Sequence, residues 1–192
     1  MTSILKVDTI QDADGNNIIN ESSNTITIGA SGDTTNIVGT LQNNGAAVGG
    51  VMTPMFYANQ QSGTAQSISA NTFTKLNMGT EDFDTASNYD TSNSRFTPQT
   101  SGKYWVFGSV MFATGTDISQ IECGIYKNGS LIALNISPND SYNNSYVTTI
   151  LSLNGSSDYI ELYAKHNASG SQTTATYNDG RYVKFGAYKI IE

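Results

Sequence analysis

The alternation of apolar and polar positions is clearest at residues 102–112, GKYWVFGSVMF. There Tyr104, Val106, Val110 and Phe112 fall on one face of an extended strand, and Trp105, Phe107 and Met111 on the other. A strand that is apolar on both faces is covered on both. In a two-sheet sandwich only one face meets the core, so the pattern predicts a second cover, and another subunit is the economical one. Shorter runs predict strands at 55–60, 73–78, 120–129, 130–136, 146–153, 159–166 and 181–191, with Asn128-Gly129 as a hairpin turn. If successive strands run antiparallel, the polar connections 113–118, 137–145 and 167–180 are alternate ones and cluster at one pole. The C-terminus, and by the same parity the N-terminal entry, then lie at the opposite pole.

Upstream the texture changes twice. Residues 1–22 are polar and acidic, with a turn signal at Asp14-Gly15-Asn16 and too little apolar material for a core, and they read as an arm. Residues 24–41 carry two apolar beats, Ile26/Ile28 and Ile37/Val38/Leu41, on either side of a Gly-Ser-Asp turn. Very short strands in a winding β structure fit them, and such strands cannot bury their apolar face within one chain. Residues 43–50, NNGAAVGG, form a small-residue linker that marks a domain boundary. The expected organisation is an arm at 1–22, a short β stem with linker at 23–52, and a head at 53–192.

Composition sharpens this picture. The 192 residues include 23 Thr, 22 Ser, 20 Asn and 18 Gly against only 13% charged residues. Strands and turns use such residues and helices do not, so an all-helical bundle is excluded. No apolar stretch is long enough for a membrane-spanning helix, and the N-terminus lacks the apolar region of a secretion signal. The net charge of −7 leaves no basic stripe, so neither nucleic acid nor an anionic membrane is an expected partner. The single cysteine, Cys123, alternates with Ile121 and Ile125 and reads as a small buried hydrophobe.

Residues 83–107, FDTASNYDTSNSRFTPQTSGKYWVF, carry a family resemblance. Phe83, Asn88-Tyr89-Asp90, Phe96, Pro98, Gly102 and Tyr104 match the signature of the complement C1q globular head, which belongs with tumour necrosis factor among the jelly-roll trimers. Val106 replaces the last aromatic of that pattern. GIYKNGSLIA (124–133) resembles the next hairpin and FGAYKII (185–191) the closing strand. The resemblance spans roughly 54–191 and implies an all-β, ten-stranded jelly-roll sandwich assembled as a homotrimer. In that assembly Tyr104, Trp105, Val106, Phe107, Phe185 and Tyr188 serve the core and the subunit interface. The chain lacks the Gly-X-Y collagen stalk of complement proteins. Its N-terminal texture is similar instead to the start of bacteriophage fibre and tail proteins, where an arm docks on capsid or tail proteins and three chains wind into a stem.

Enzymatic constellations are missing. No P-loop, G-x-G-x-x-G, G-x-S-x-G or H-E-x-x-H motif occurs. A Ser-His-Asp triad would need the single histidine, His166, which reads as a loop-edge residue that hydrogen-bonds or contacts a ligand. Glu81, Asp82 and Asp84 read as a solvated turn before Phe83. A calcium ion, as on the axis of complement-like heads, is the one cofactor that the resemblance leaves open there. Recognition chemistry gathers in the loops. Asn139, Asp140, Tyr142, Asn143, Asn144 and Tyr146 in one, and Tyr177, Asn178 and Asp179 in another, supply rigid aromatic area and amide hydrogen bonds. With His166 these are the candidate ligand residues.

The expectation is a non-enzymatic virion protein made in the cytoplasm of a host bacterium: a short trimeric fibre whose head recognises a host-surface glycan or protein. The alternative is a capsid decoration trimer that coats or stabilises the shell and binds no receptor.

Overall fold

In the computed structural model the described residues are 34, 36–39, 41–43, 46–47, 52–60, 64–113, 117–138, 143–176 and 182–190. The expected arm at 1–22 and most of the expected stem lie outside them. The chain divides into two units, Met1–Gly49 and Gly50–Glu192.

In the first unit, β1 (Gln42–Asn43) pairs antiparallel with β2 (Ala46–Ala47), Gln42 opposite Ala47 and Asn43 opposite Ala46. The stretch expected to be a linker therefore contains a hairpin. Its two intervening residues, Asn44-Gly45, are the pair that most favours a two-residue turn. The expected strand at Ile37/Val38/Leu41 does not form across 36–39. Those three side chains are exposed, as apolar beats too short to fold back on themselves must be.

The second unit is all β. Its strands are β3 (Met55–Asn59), β4 (Ser67–Ile68), β5 (Thr74–Lys75), β6 (Thr80–Asp84), β7 (Tyr89–Asp90), β8 (Arg95–Phe96), β9 (Ser101–Met111), β10 (Gln120–Lys127), β11 (Ser130–Pro138), β12 (Asn144–Asn154), β13 (Ile160–His166), β14 (Gln172–Thr173) and β15 (Lys184–Lys189). The count exceeds the ten expected, because β4, β7, β8 and β14 are two-residue pieces that pairing creates where no alternation announces them, while the strand expected at 73–78 shortens to the two residues of β5. One sheet runs β12-β9-β15-β3-β6. The other runs β11-β10-β13-β8-β7, with β5 also on β13, and β14 pairs with β4. The Asn128-Gly129 turn joins β10 to β11 as expected, with φ of 51° and 80°, the left-handed values that this pair tolerates.

The core fills the space between the sheets. Tyr104, Val106, Val110 and Phe112 point into it, as the alternation predicts, and meet Ile121, Cys123, Ile125, Ile160 and Leu162 from the facing sheet. Phe56 stacks on Tyr89 at 4.7 Å and on Phe96 at 4.3 Å, with Phe185 edge-on at 5.1 Å. Three residues of the signature stretch, Tyr89, Phe96 and Tyr104, thus close one end of the core. Burial there pushes the Tyr104 phenol up to about 12, and its hydroxyl donates to the Thr100 carbonyl at 2.6 Å.

The poles fall where parity puts them. At one, Phe112 bridges Thr174, the Asn143 amide donates to the Ala113 carbonyl at 2.8 Å, and Asn167 Oδ1 accepts from the Ser119 and Gln120 amides. At the other, the Lys189 amide donates to the Pro54 carbonyl and the Ile190 amide to the Lys103 carbonyl. Entry into the head and the end of its last strand therefore share the pole opposite the polar loops.

Candidate functional site

The outward face of the β12-β9-β15-β3-β6 sheet is built in three rows of cross-strand neighbours. Nearest the entry pole, Met55, Tyr188, Trp105 and Ile150 lie side by side. The second row runs Phe83, Tyr57, Gly186, Phe107 and Thr148. The third, toward the polar loops, runs Asn59, Lys184, Ser109 and Tyr146. Two rows are apolar and largely aromatic; the third is polar and holds a cation.

Ring packing ties the first two rows together. Tyr57 lies 6.0 Å from Phe83 and 6.2 Å from Phe107, and Trp105 lies 5.1 Å from Phe107 and 5.2 Å from Tyr188. Gly186 permits this, since a Cβ there would sit 2.5 Å from the Phe107 ring. The rings still do not bury one another. Phe83 keeps 47% of its surface, as Ile150 beside the rings keeps 59% and Tyr146 in the third row 71%.

Of the residues expected to serve core and interface, Tyr104, Val106 and Phe185 lie in the core, and Trp105, Phe107 and Tyr188 on this outer face. Two open grooves of about 340 and 350 Å³ run along the face where the second row gives way to the third. Both are lined by Ser109, Tyr146 and Lys184. The first continues toward the loop pole past Asn144 and Tyr182, the second over Trp105, Phe107 and Thr148.

The candidate ligand residues divide. Asn139, Asp140, Tyr142, Tyr177, Asn178 and Asp179 lie outside the described residues. Asn144 and Tyr146 stand exposed at the head of β12, beside the first groove. Asn143 is buried, its amide spent on closing the pole.

His166 ends its strand at the edge of a loop and hydrogen-bonds there, as expected, but it is not open to a ligand. It is fully buried at the end of β13, where Nε2 donates to the Ile68 carbonyl at 2.9 Å and Nδ1 accepts from the Ala168 amide at 3.2 Å. Phe112 packs edge-on to its ring at 5.0 Å. Both nitrogens are satisfied by one neutral tautomer, so the ring serves the core and offers no surface to a ligand or to a triad.

Glu81, Asp82 and Asp84 form the edge strand β6 and not a turn, with Asp82 the extra residue of a bulge. Asp84 accepts from the Ala86 and Tyr89 amides, and Asp82 from the Asn59 side chain at 2.9 Å. Among the described residues, no group of three or more His, Cys, Asp or Glu is placed to hold a metal ion.

The facing sheet carries a different surface. Glu161 is buried and accepts from Arg95 at 2.9 Å and Lys75 at 3.2 Å, and Lys165 pairs with Glu122 at 2.7 Å. Arg95 covers the Tyr159 ring and Lys165 the Phe73 ring, while Tyr126 and Tyr163 pack at 4.0 Å. At its edge, β11 leaves Leu134 and Ile136 half-exposed.

Sequence reasoning missed Lys184 and Tyr182 as members of a site. The alternation of Lys184, Gly186 and Tyr188 opposite Phe185 and Ala187 was readable, but which strands would flank Lys184 was not.

No family model matches the sequence, and no curated protein matches it. Solved structures do resemble the fold. The Eiger tumour necrosis factor of S. frugiperda is 11% identical, with 72% of this chain and 92% of that one covered and a TM-score of 0.53. Murine APRIL is 13% identical over 71% of this chain and 98% of its own, with a TM-score of 0.53. The globular domain of zebrafish complement 1qA is 11% identical over 72% of this chain and 98% of its own, at a TM-score of 0.47. The head is a jelly roll of the tumour necrosis factor-like kind.

Proposed function

We propose that the protein is a non-enzymatic structural component of a bacteriophage virion, a short homotrimeric fibre whose head recognises a host-surface glycan or protein. The observation that carries this reading is the pair of apolar rows on the outer face of the β12-β9-β15-β3-β6 sheet. Contiguous aromatic surface of that extent marks an interaction site. Its removal from water stabilises an assembly by about 25 cal/mol per Å². That the covering partner is the chain itself, three copies in all, follows the resemblance to C1q and tumour necrosis factor heads. The bacteriophage assignment follows the texture of the arm and stem sequence.

Function then works through avidity. Three identical loop sets at one pole multiply a weak contact, because a tethered second contact forms at high effective concentration. At that pole Asp117 accepts from the Ser169 hydroxyl and amide, which hold its carboxyl below the usual range, and from the Gln172 side chain.

Light scattering on the full chain, with fluorescent binding to a panel of bacterial strains, tests the reading. Three chain masses and saturable binding to at least one strain are expected. A single-chain mass overturns the assembly, and binding to none of the strains overturns host recognition.

A further inference from the structure

We propose that the polar third row and the groove beside it form a binding site for a sugar carrying a carboxylate, with Lys184 as the group that selects the acid. This rests on the reading of the head as a recognition module and names the chemistry it recognises.

The first observation is an unpaired charge. On the facing sheet Lys75, Arg95 and Lys165 all meet carboxylates, and Lys127 pairs with Asp158 at 2.8 Å. The Lys184 ammonium group has no ion-pair or hydrogen-bond partner among the described residues, although the chain carries 16 acidic residues against 9 basic ones. Its cross-strand neighbours, Asn59 and Ser109, are neutral. The Asp82 carboxylate accepts from the Asn59 side chain and forms no ion pair with Lys184.

The second is the character of the groove. At about 340 Å³ it reaches the lower bound of small-ligand sites, suited to one or two sugar rings. The exposed Tyr146 offers a ring face to sugar C–H groups, and the exposed Asn144 amide can bond hydroxyls.

The third concerns assembly. A second copy seated on the two apolar rows would border Lys184 and strip water from its ammonium group. A desolvated, unpaired charge is costly, and a carboxylate beside it offsets that cost. Acid binding and assembly therefore reinforce each other.

The test is a titration of the full chain, followed by NMR, with methyl glucuronide and methyl glucoside as probes and sodium acetate as competitor. The wild type is expected to bind the glucuronide at least fivefold more tightly than the glucoside. Lys184→Gln should erase the preference, Lys184→Arg should keep it, and Tyr146→Ala should weaken both sugars severalfold. Four results overturn the proposal: no binding of either probe, equal binding of the two, a preference that survives Lys184→Gln, or acetate binding indifferent to Tyr146→Ala, which would mark a bare anion site. None of these changes the mass or the cell binding by which the broader reading is judged. Conversely, a single-chain mass with the acid preference intact overturns the assembly and leaves this site standing.

Discussion

The outward faces of the two sheets solve the same problem differently. On the facing sheet, the large polar and aromatic groups find partners within the chain: Glu161 between Arg95 and Lys75, Lys165 over Phe73 and against Glu122. On the β12-β9-β15-β3-β6 sheet, Trp105, Phe107, Tyr57 and Tyr188 touch one another and yet stay half-exposed, and Lys184 meets no carboxylate among the described residues. Apart from the exposed apolar edge strand β11, the first surface is complete in one chain; the second is not. Aromatic content does not separate them, since both faces are rich in rings. The difference is whether the edges and charges around those rings are answered from within.

The largest expected effect comes from the incomplete face. Trp105→Glu places a charge in the middle of the first apolar row. Burying it unpaired in an interface costs about 3 kcal/mol or more, a hundredfold or greater loss of association. Light scattering should then report a single-chain mass while circular dichroism stays that of the wild type. An unchanged mass would mean that this face is not the one that assembles, and the comparison would fail. The complete face should respond in the opposite way. Glu161→Gln leaves Arg95 and Lys75 without their shared carboxylate. Both cations are partly exposed and can rehydrate, so about 2 kcal/mol of stability is lost, below the full penalty for a broken buried pair. A urea midpoint reads that loss, and the mass should not move.

Local pattern and pairing differ in what a sequence reveals. The two-faced strand β9, the Asn128-Gly129 turn and the buried Cys123 were legible because each is decided within a few residues. The polar pole was legible too, since antiparallel parity depends only on the order of strands. The burial of His166 was missed because it ends a strand and precedes a polar stretch. Carried through Ile160, Leu162 and Ala164, the same alternation puts it inside, and the Ile68 carbonyl that satisfies it lies 98 residues away in sequence. The acidic run at 80–84 lacks strand propensity and becomes a strand only because β3 offers it an edge. The three rows, and with them the isolation of Lys184, exist only once the registers of β3, β15, β9 and β12 are known.

Gly186 tests how tightly the incomplete face is made. Gly186→Val would bring a Cβ within 2.5 Å of the Phe107 ring and 3.0 Å of the Phe56 carbonyl. The ring can swing outward and the carbonyl cannot, so about 1.5 kcal/mol of stability should be lost, within the usual range for overpacking. A displaced Phe107 should also weaken association, seen as a mass that falls on dilution where the wild type holds. A stability loss without any change in assembly would show that Phe107 is not part of the contact.

The smallest effect sits on the complete face, in the turn between β7 and β8. Asp90 accepts from the Asn93 side chain at 2.5 Å, from the Ser92 hydroxyl at 2.5 Å and from both their amides. These bonds, the Asn93 side chain foremost, hold its carboxyl down at about 2. The turn is tied to the ion network, because the Asn93 carbonyl accepts from Lys75, which also pairs with Glu161. A carboxyl depressed in the folded state stabilises fully above its unfolded value near 4, and that contribution fades as pH falls through about 2. Asp90 is exposed, so solvent screens the effect and it should be modest. Between pH 4.5 and 2 the wild type should lose more of its urea midpoint than Asp90→Asn. The difference between the two isolates this residue from Asp117 and Asp158, whose carboxyls are lowered as well. Parallel losses would mean that the turn's hydrogen bonds do not contribute to closing this face, and that its completeness comes from Glu161 alone.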